Sequence, residues 1–229
     1  MSSGHRKGAF SMKKIVCVVL AVLFVFAFVG CSNGGTFSEK NYLSENGQIR
    51  SIIIDVADRE LNIGLSSDGQ ISVNYFDSEK QYLEISVSES NELVIRLAYD
   101  RSWTDFIGVK PDRKYRGITV LVPENLLAAL NASTTNGDIK VSCLDVSEEI
   151  NLYSNGGDVI FERVGAGGKI SLKAKNGDIR GTVAGGLDEF SVSCKIKKGD
   201  CNLPLSKEGG DKEFFADCNN GDIYVEFVK

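Results

Sequence analysis

The 229-residue chain is poor in the side chains most catalytic centres need: it has one histidine, one tryptophan, two methionines and three prolines. The single histidine, His5, precedes the apolar leader described below. Once that leader is removed, imidazole acid–base chemistry, histidine triads and histidine metal sites are unavailable. The body after residue 30 also lacks a P-loop and the G-x-S-x-G, S-x-x-K, H-E-x-x-H and C-x-x-C patterns. Paired carboxylates for glycoside chemistry are not excluded, because any two of 31 acidic residues could converge. Charge is unevenly spread. The first 30 residues carry Arg6, Lys7, Lys13 and Lys14 and no acid, which leaves 22 basic against 31 acidic residues beyond them, a balance of −9. An acidic body argues against nucleic acid as a partner.

What is present begins with an address. Lys13 and Lys14 precede an uninterrupted apolar run, Ile15 to Val29, followed by Gly30 and Cys31. That run is short for a bilayer span but suits a secretory leader. Phe28-Val29-Gly30-Cys31 resembles the lipobox of bacterial lipoproteins, with Phe28 where leucine is usual. The resemblance implies cleavage before Cys31 and a diacylglycerol on its thiol. The expected organisation is a signal peptide over 1–30 (1–11 lying upstream of a natural start at Met12), a lipidated cysteine and polar tether over 31–48, and a β domain over 49–229. The protein is expected on the extracytoplasmic face of a bacterial cell membrane, lipid-anchored.

From Ile49 onward apolar and polar residues alternate, as in Leu61-Ile63-Leu65, Ile71-Val73-Tyr75, Leu83-Ile85-Val87, Leu93-Ile95-Leu97 and Ile118-Val120-Val122. Period two with turn residues between the runs predicts strands. From 130 to 229 a turn built on Gly-Asp recurs, with aspartates at Asp138, Asp158, Asp178, Asp200 and Asp222. Counted from each aspartate, position +1 is Ile139, Val159, Ile179, Cys201 and Ile223; position −6 is Ala132, Leu152, Leu172, Cys194 and Ala216. Apolar columns in every copy predict units that bury a face only by stacking. The expected fold is all-β: a right-handed parallel β-solenoid with coils of about 20–22 residues, preceded by further strands. Unrelated Asn-Gly hairpins are the rival reading. Glycine before each aspartate is expected for a positive φ.

Stacked in register, the five aspartates form a row. They either accept turn N–H groups and fix the corner or hold cations, and the first reading is preferred. No metal or other cofactor is expected. In the body, Cys143, Cys194, Cys201 and Cys218 are an even set. Cys194 and Cys218 sit two positions out of register in neighbouring coils, about 8 Å apart, so buried reduced thiols are expected. Tyr99 to Arg116 is irregular and sets Trp103, Phe106 and Tyr115 among Lys110, Arg113 and other cations. In an acidic protein this basic, aromatic loop is the candidate contact surface; the alternative is that its aromatics fold back over the core.

Ile-Thr-Val-Leu-Val-Pro (118–123) followed by N-G-D-I-x-V units at 136–141 and 220–225 resembles the putative-adhesin domain family of unknown function from bacterial envelopes. The resemblance spans roughly 49–227 and implies a β-solenoid with more ordinary β structure before it. It carries no catalytic residues across. The favoured function is a non-catalytic, membrane-anchored binding or adhesion module, with a cell-wall glycan or an envelope protein as partner. An accessory of envelope-stress signalling and a polysaccharide-active enzyme are the alternatives. The sequence ends directly after the strand-like Ile223–Val228, so an open last coil is expected, covered by the irregular loop, a partner or a second copy.

Overall fold

The computed structural model describes residues 36–44, 47–100 and 110–229. The leader, Cys31, Trp103 and Phe106 lie outside them. Eighteen strands follow one another: β1 (Ser38–Ser44), β2 (Ser51–Val56), β3 (Glu60–Leu65), β4 (Ile71–Asp77), β5 (Gln81–Val87), β6 (Glu92–Tyr99), β7 (Gly117–Val122), β8 (Ala129–Thr134), β9 (Ile139–Ser142), β10 (Asp145–Val146), β11 (Glu149–Ser154), β12 (Val159–Ala166), β13 (Lys169–Asn176), β14 (Ile179–Ala184), β15 (Phe190–Lys198), β16 (Ser206–Lys207), β17 (Lys212–Asn220) and β18 (Ile223–Val228). Single 3-10 turns occur at Arg113–Tyr115 and Leu187–Glu189. Glu124 and Asn125 form a turn, and Ala129 opens β8. Among the described residues no helix is long and apolar enough to cross a membrane.

The strands form two sheets. One runs β1-β4-β7-β3-β9-β12-β14-β18, with β10 beside β12; the other runs β16-β15-β17-β13-β11-β8-β2-β6-β5. We call them the first and second sheet. The chain passes from one to the other at each aspartate turn, so a unit contributes a strand to each. Both inner faces feed one core, and alternation explains how: Leu130 and Ala132, Ile150 and Leu152, Ile170 and Leu172 point inward while Asn131, Asn151 and the buried Ser171 between them lie on the outer face. Pairing across the repeats is parallel. Glu149 lies opposite Ala129 and Lys169, and Ile139 opposite Val159, so the −6 and +1 columns align. At the far end β1–β4, β4–β7 and β5–β6 are antiparallel.

Spatial order departs from chain order in two places. The β2–β3 unit lies between β6–β7 and β8–β9, and the β17–β18 unit lies beside β13–β14, with β15 beyond it. The expectation of an open last coil is therefore corrected: in the second sheet β17 is covered on both sides, and β15 with its two-residue partner β16 closes that end. Side-chain character gives the reason. β17 presents Phe214, Ala216 and Cys218, nearly inaccessible, as an interior strand requires. β15 carries Lys195, Lys197 and Lys198, which tolerate an end. The first sheet's edge is closed differently. The Asn202 side chain donates to the Val225 carbonyl (2.9 Å) and accepts from the Val225 amide (2.9 Å), standing in for the next strand at one position.

The glycine before each aspartate has the expected cause in part: φ is positive at Gly177, Gly199 (125°) and Gly221 (146°). Gly137 and Gly157 do not have positive φ. A Cβ at Gly157 would instead land on the Gly137 carbonyl oxygen, one at Gly177 on that of Gly157, and one at Gly221 on that of Gly177. Close approach between stacked turns excludes a side chain there whether or not φ is positive. Four residues before the aspartate a polar side chain reaches the neighbouring turn: Thr134 Oγ1 donates to the Arg59 carbonyl (2.8 Å), Ser154 Oγ to that of Gly137 (2.8 Å) and Cys218 Sγ to that of Gly177 (3.3 Å). These bonds satisfy carbonyls that no strand reaches.

Candidate functional site

Three surfaces come from the sequence features and their surroundings: the aspartate row, the basic loop and the outer face of the second sheet. In the row, four of the five carboxylates accept the backbone N–H of the aspartate in the adjacent unit. Asp138 Oδ1 accepts from Asp158 (3.0 Å), Asp158 Oδ1 from Asp178 (2.9 Å), Asp178 Oδ1 from Asp222 (2.9 Å) and Asp222 Oδ1 from Asp200 (2.8 Å). The spatial order thus places Asp222 before Asp200. Arg180 bridges Asp158 (2.8 Å) and Asp178 (3.1 Å), offsetting like-charge repulsion between them. With their oxygens turned to amides, these carboxylates act as fasteners between turns. Among the described residues no group of three or more His, Cys, Asp or Glu is placed to hold a metal ion.

The described part of the basic loop is largely occupied with the fold. The Tyr115 ring stacks on Phe37 (centroids 5.0 Å apart) and meets Phe76 edge-on (5.4 Å), while Lys114 Nζ lies over its face (4.7 Å). Lys110 pairs with Asp58 (2.9 Å), and Arg113 is exposed. Trp103 and Phe106, the other two aromatics of this proposed contact surface, lie outside the described residues. Beside the loop sits a polar cluster that no local sequence pattern marks. Arg59 is buried (2% exposed), donating to Gln81 Oε1 (3.1 Å) and the Asp58 carbonyl (3.3 Å). Burial lowers its pKa, opposed by Tyr99, Asp58 and Asp77. Burial also pushes the Asp77 carboxyl up to about 6 and the Tyr75 phenol up to about 12. At Asp58 burial acts upward, but hydrogen bonds from Lys110 and Asn136 outweigh it and hold the carboxyl below its ordinary value.

The third surface has the geometry of a binding site. Across the outer face of the second sheet, register brings Ile53, Asn131, Asn151 and Ser171 into one line and Asp55, Ser133, Tyr153 and Lys173 into the next. Asn151 Nδ2 donates to Asn131 Oδ1 (2.8 Å), and Ser133 Oγ to Asp55 Oδ1 (2.8 Å). These two lines border a groove of about 620 Å³ that runs across β2, β8, β11 and β13. Tyr153 is 42% exposed within it. Beyond Lys173 the lines continue to Phe215 and Asp217 on β17, and the Lys173 and Lys195 ammonium groups lie over the Phe215 ring at 5.6 and 5.4 Å from its centroid. The face therefore combines an amide and hydroxyl ladder, two aromatic rings and charges of both signs. Sequence reasoning concentrated on the inward columns and passed over these outward ones, although the same 20-residue spacing aligns them.

The profile of a family described as Toastrack DUF4097 matches residues 49–203. No curated protein matches the chain. Among solved structures, a putative cell adhesion protein from Clostridium sporogenes is similar over 84% of this chain and 100% of its own, at 15% identity and a TM-score of 0.60. A putative adhesin from Bacteroides fragilis covers 82% of this chain and 97% of its own at 14% identity, with a TM-score of 0.40. A putative adhesin from Parabacteroides distasonis covers 85% and 98% at 14% identity, with a TM-score of 0.30. The Clostridium structure supports the all-β architecture.

Proposed function

The chain belongs to the Toastrack DUF4097 family, and from that premise we propose that it is a membrane-anchored, extracytoplasmic binding module whose ligand lies along the outer face of the second sheet. In this reading the stack is a right-handed parallel solenoid with coils of about 20–22 residues, consistent with the aligned registers of β8, β11 and β13. Residues 1–30 direct export, Cys31 carries the lipid, and 31–48 tether the body to the membrane surface. The protein binds rather than catalyses.

The groove carries the proposal. An exposed tyrosine beside a hydrogen-bonded amide ladder suits a polar, extended ligand with apolar ring faces, which is the chemistry of a cell-wall glycan. The adhesion role named for the Clostridium neighbour fits such a ligand. Tyr153→Ala removes the exposed ring without touching the core. Retention of the protein on isolated cell-wall polysaccharide is expected to fall about tenfold or more, the loss typical of a central aromatic contact. Unchanged retention, or capture only of an envelope protein in cross-linked cells, would overturn the glycan reading. The anchor is tested separately: Cys31→Ala should move the protein from the membrane fraction to the soluble one, and a variant that stays with the membrane refutes lipidation there.

A further inference from the structure

Two cysteines far from the groove face each other across the end of the core. Cys194 lies on β15 opposite Ala216 of β17, and Cys201 makes a parallel bridge to Ile223. Ala216 and Ile223 are the −6 and +1 residues of the adjoining unit, so Cys194 and Cys201 are the corresponding pair of the terminal unit. In the other units these positions hold Ala132 and Ile139, Leu152 and Val159, Leu172 and Ile179. Only at this end are both members replaced, and both by cysteine. Their sulfurs are 2.9 Å apart, less than 1 Å beyond the ~2.05 Å of a covalent bond. The remaining described cysteines are placed elsewhere: Cys143 is exposed, and Cys218 is bonded to the Gly177 carbonyl.

We propose that Cys194 and Cys201 are an oxidation site, closing an intramolecular disulfide that pins the end of the stack. The structure holds both thiols free, in keeping with the expectation of reduced cysteines; that expectation weighed Cys194 only against Cys218 in the neighbouring coil and not against the partner within its own. A soluble disulfide R–S–S–R is the oxidant. Cys201, half-buried, is the sulfur that solvent reaches. Its thiolate attacks R–S–S–R, forms the mixed disulfide and expels one RS⁻. Cys194 then loses its proton and attacks the Cys201 sulfur, expelling the second RS⁻. Two protein thiols are oxidised and one small disulfide is reduced to two thiols. Burial pushes the Cys194 thiol up to about 12, so the second step is the slow one and quickens as pH rises.

Closing this short loop holds the segment that carries Asn202, whose side chain makes both bonds to Val225 and blunts the edge of β18. Oxidation therefore stabilises the edge closure as well as the end of the core. An exported protein meets the conditions in which such bonds persist, but the chemistry of the pair does not depend on that placement.

The test is peptide mapping of the full chain incubated folded with oxidised glutathione, then denatured, alkylated and digested with trypsin without reduction. Cleavage after Lys195, Lys197 and Lys198 separates the two cysteines, so the bond appears as peptide 181–195 joined to peptide 199–207, two hydrogens lighter than the sum of the free peptides. Cys194→Ser should trap glutathione on Cys201, and amide exchange at Asn202 and Val225 should slow by about tenfold or more on oxidation of the unaltered chain. A stable glutathione adduct on Cys201 with Cys194 alkylated, a Cys194–Cys218 link, or full alkylation of both cysteines would overturn the proposal. If Cys194→Ser fails to fold, the map of the unaltered chain decides alone.

Discussion

Gly157→Ala separates two explanations of the glycine column. If glycine were present for backbone freedom, alanine would be harmless here, because φ at Gly157 is not positive. It would even add stability, about 0.4–1 kcal/mol, by narrowing the unfolded ensemble. The structure points the other way. The added methyl meets the Gly137 carbonyl oxygen and carbon and the Asp138 amide nitrogen, all backbone. None can swing aside as a side-chain end would. Relief requires the two turns to part, which loosens the Asp158 N–H to Asp138 Oδ1 bond (3.0 Å), the Ser154 Oγ to Gly137 carbonyl bond (2.8 Å) and the Ile139 N–H to Asp158 carbonyl bond (2.9 Å). Overpacking of about 1–3 kcal/mol and two or three weakened bonds at about 0.5–1.5 kcal/mol each give a loss of roughly 2–7 kcal/mol. That is a large share of an ordinary domain's stability. Gly69→Ala is the contrast: φ is +74° with nothing within 4 Å of the new Cβ, so only backbone strain of about 1–2 kcal/mol is expected. Urea unfolding of both variants measures the difference. A Gly157→Ala midpoint equal to or above that of the parent refutes the steric account.

The aspartates of the row should be unequal. Asp178→Ala strips an acceptor from the Asp222 amide and one partner from Arg180, for about 1–2 kcal/mol in urea unfolding, whereas Asp200 donates its amide at the end of the row and Asp200→Ala should cost under about 0.5 kcal/mol; equal losses would deny the ladder. Asp77 makes stability depend on pH: its folded value of about 6 lies above the ordinary 3.8, so the folded state holds the extra proton between them and stability falls as pH rises from about 4 to about 6. The shift corresponds to about 3 kcal/mol undiminished, reduced by solvent screening to about 1–2 kcal/mol. Asp77→Asn should flatten that span of the stability–pH curve, and an unchanged slope would remove Asp77 as its source.

Repetition is what made the fold readable. One column of apolar residues is ambiguous, but Ile139, Val159, Ile179 and Ile223 at one offset and Leu152, Leu172 and Ala216 at another specify two inner faces and a common register. The order of stacking was not readable, because pairing preference lies in which strand tolerates burial on both edges, and β15 and β17 have nearly the same alternation. The thiol pair was readable in principle: Cys194 and Cys201 occupy columns that face each other in every unit. The groove was less so, since Asn131, Asn151 and Ser171 look like ordinary solvent-side residues until register lines them up. Arg59, adjacent in sequence to Asp58 and Glu60, had every local sign of exposure; its burial is set by Gln81 on a different strand.

The inserted position of β17 and β18 has a consequence for how such a chain is made. A polypeptide leaves the ribosome N-terminus first, and a sheet whose strands stacked in that order could zip up as it came. Here β15 appears before the strand it must pair with, and its slot against β13 belongs to a segment not yet delivered. The first sheet likewise waits for β18 beside β14. Until residues 212–228 arrive, the exposed flank of β13 and β14 is an unfilled berth. Chaperones and proteases have that interval in which to recognise an unfinished molecule.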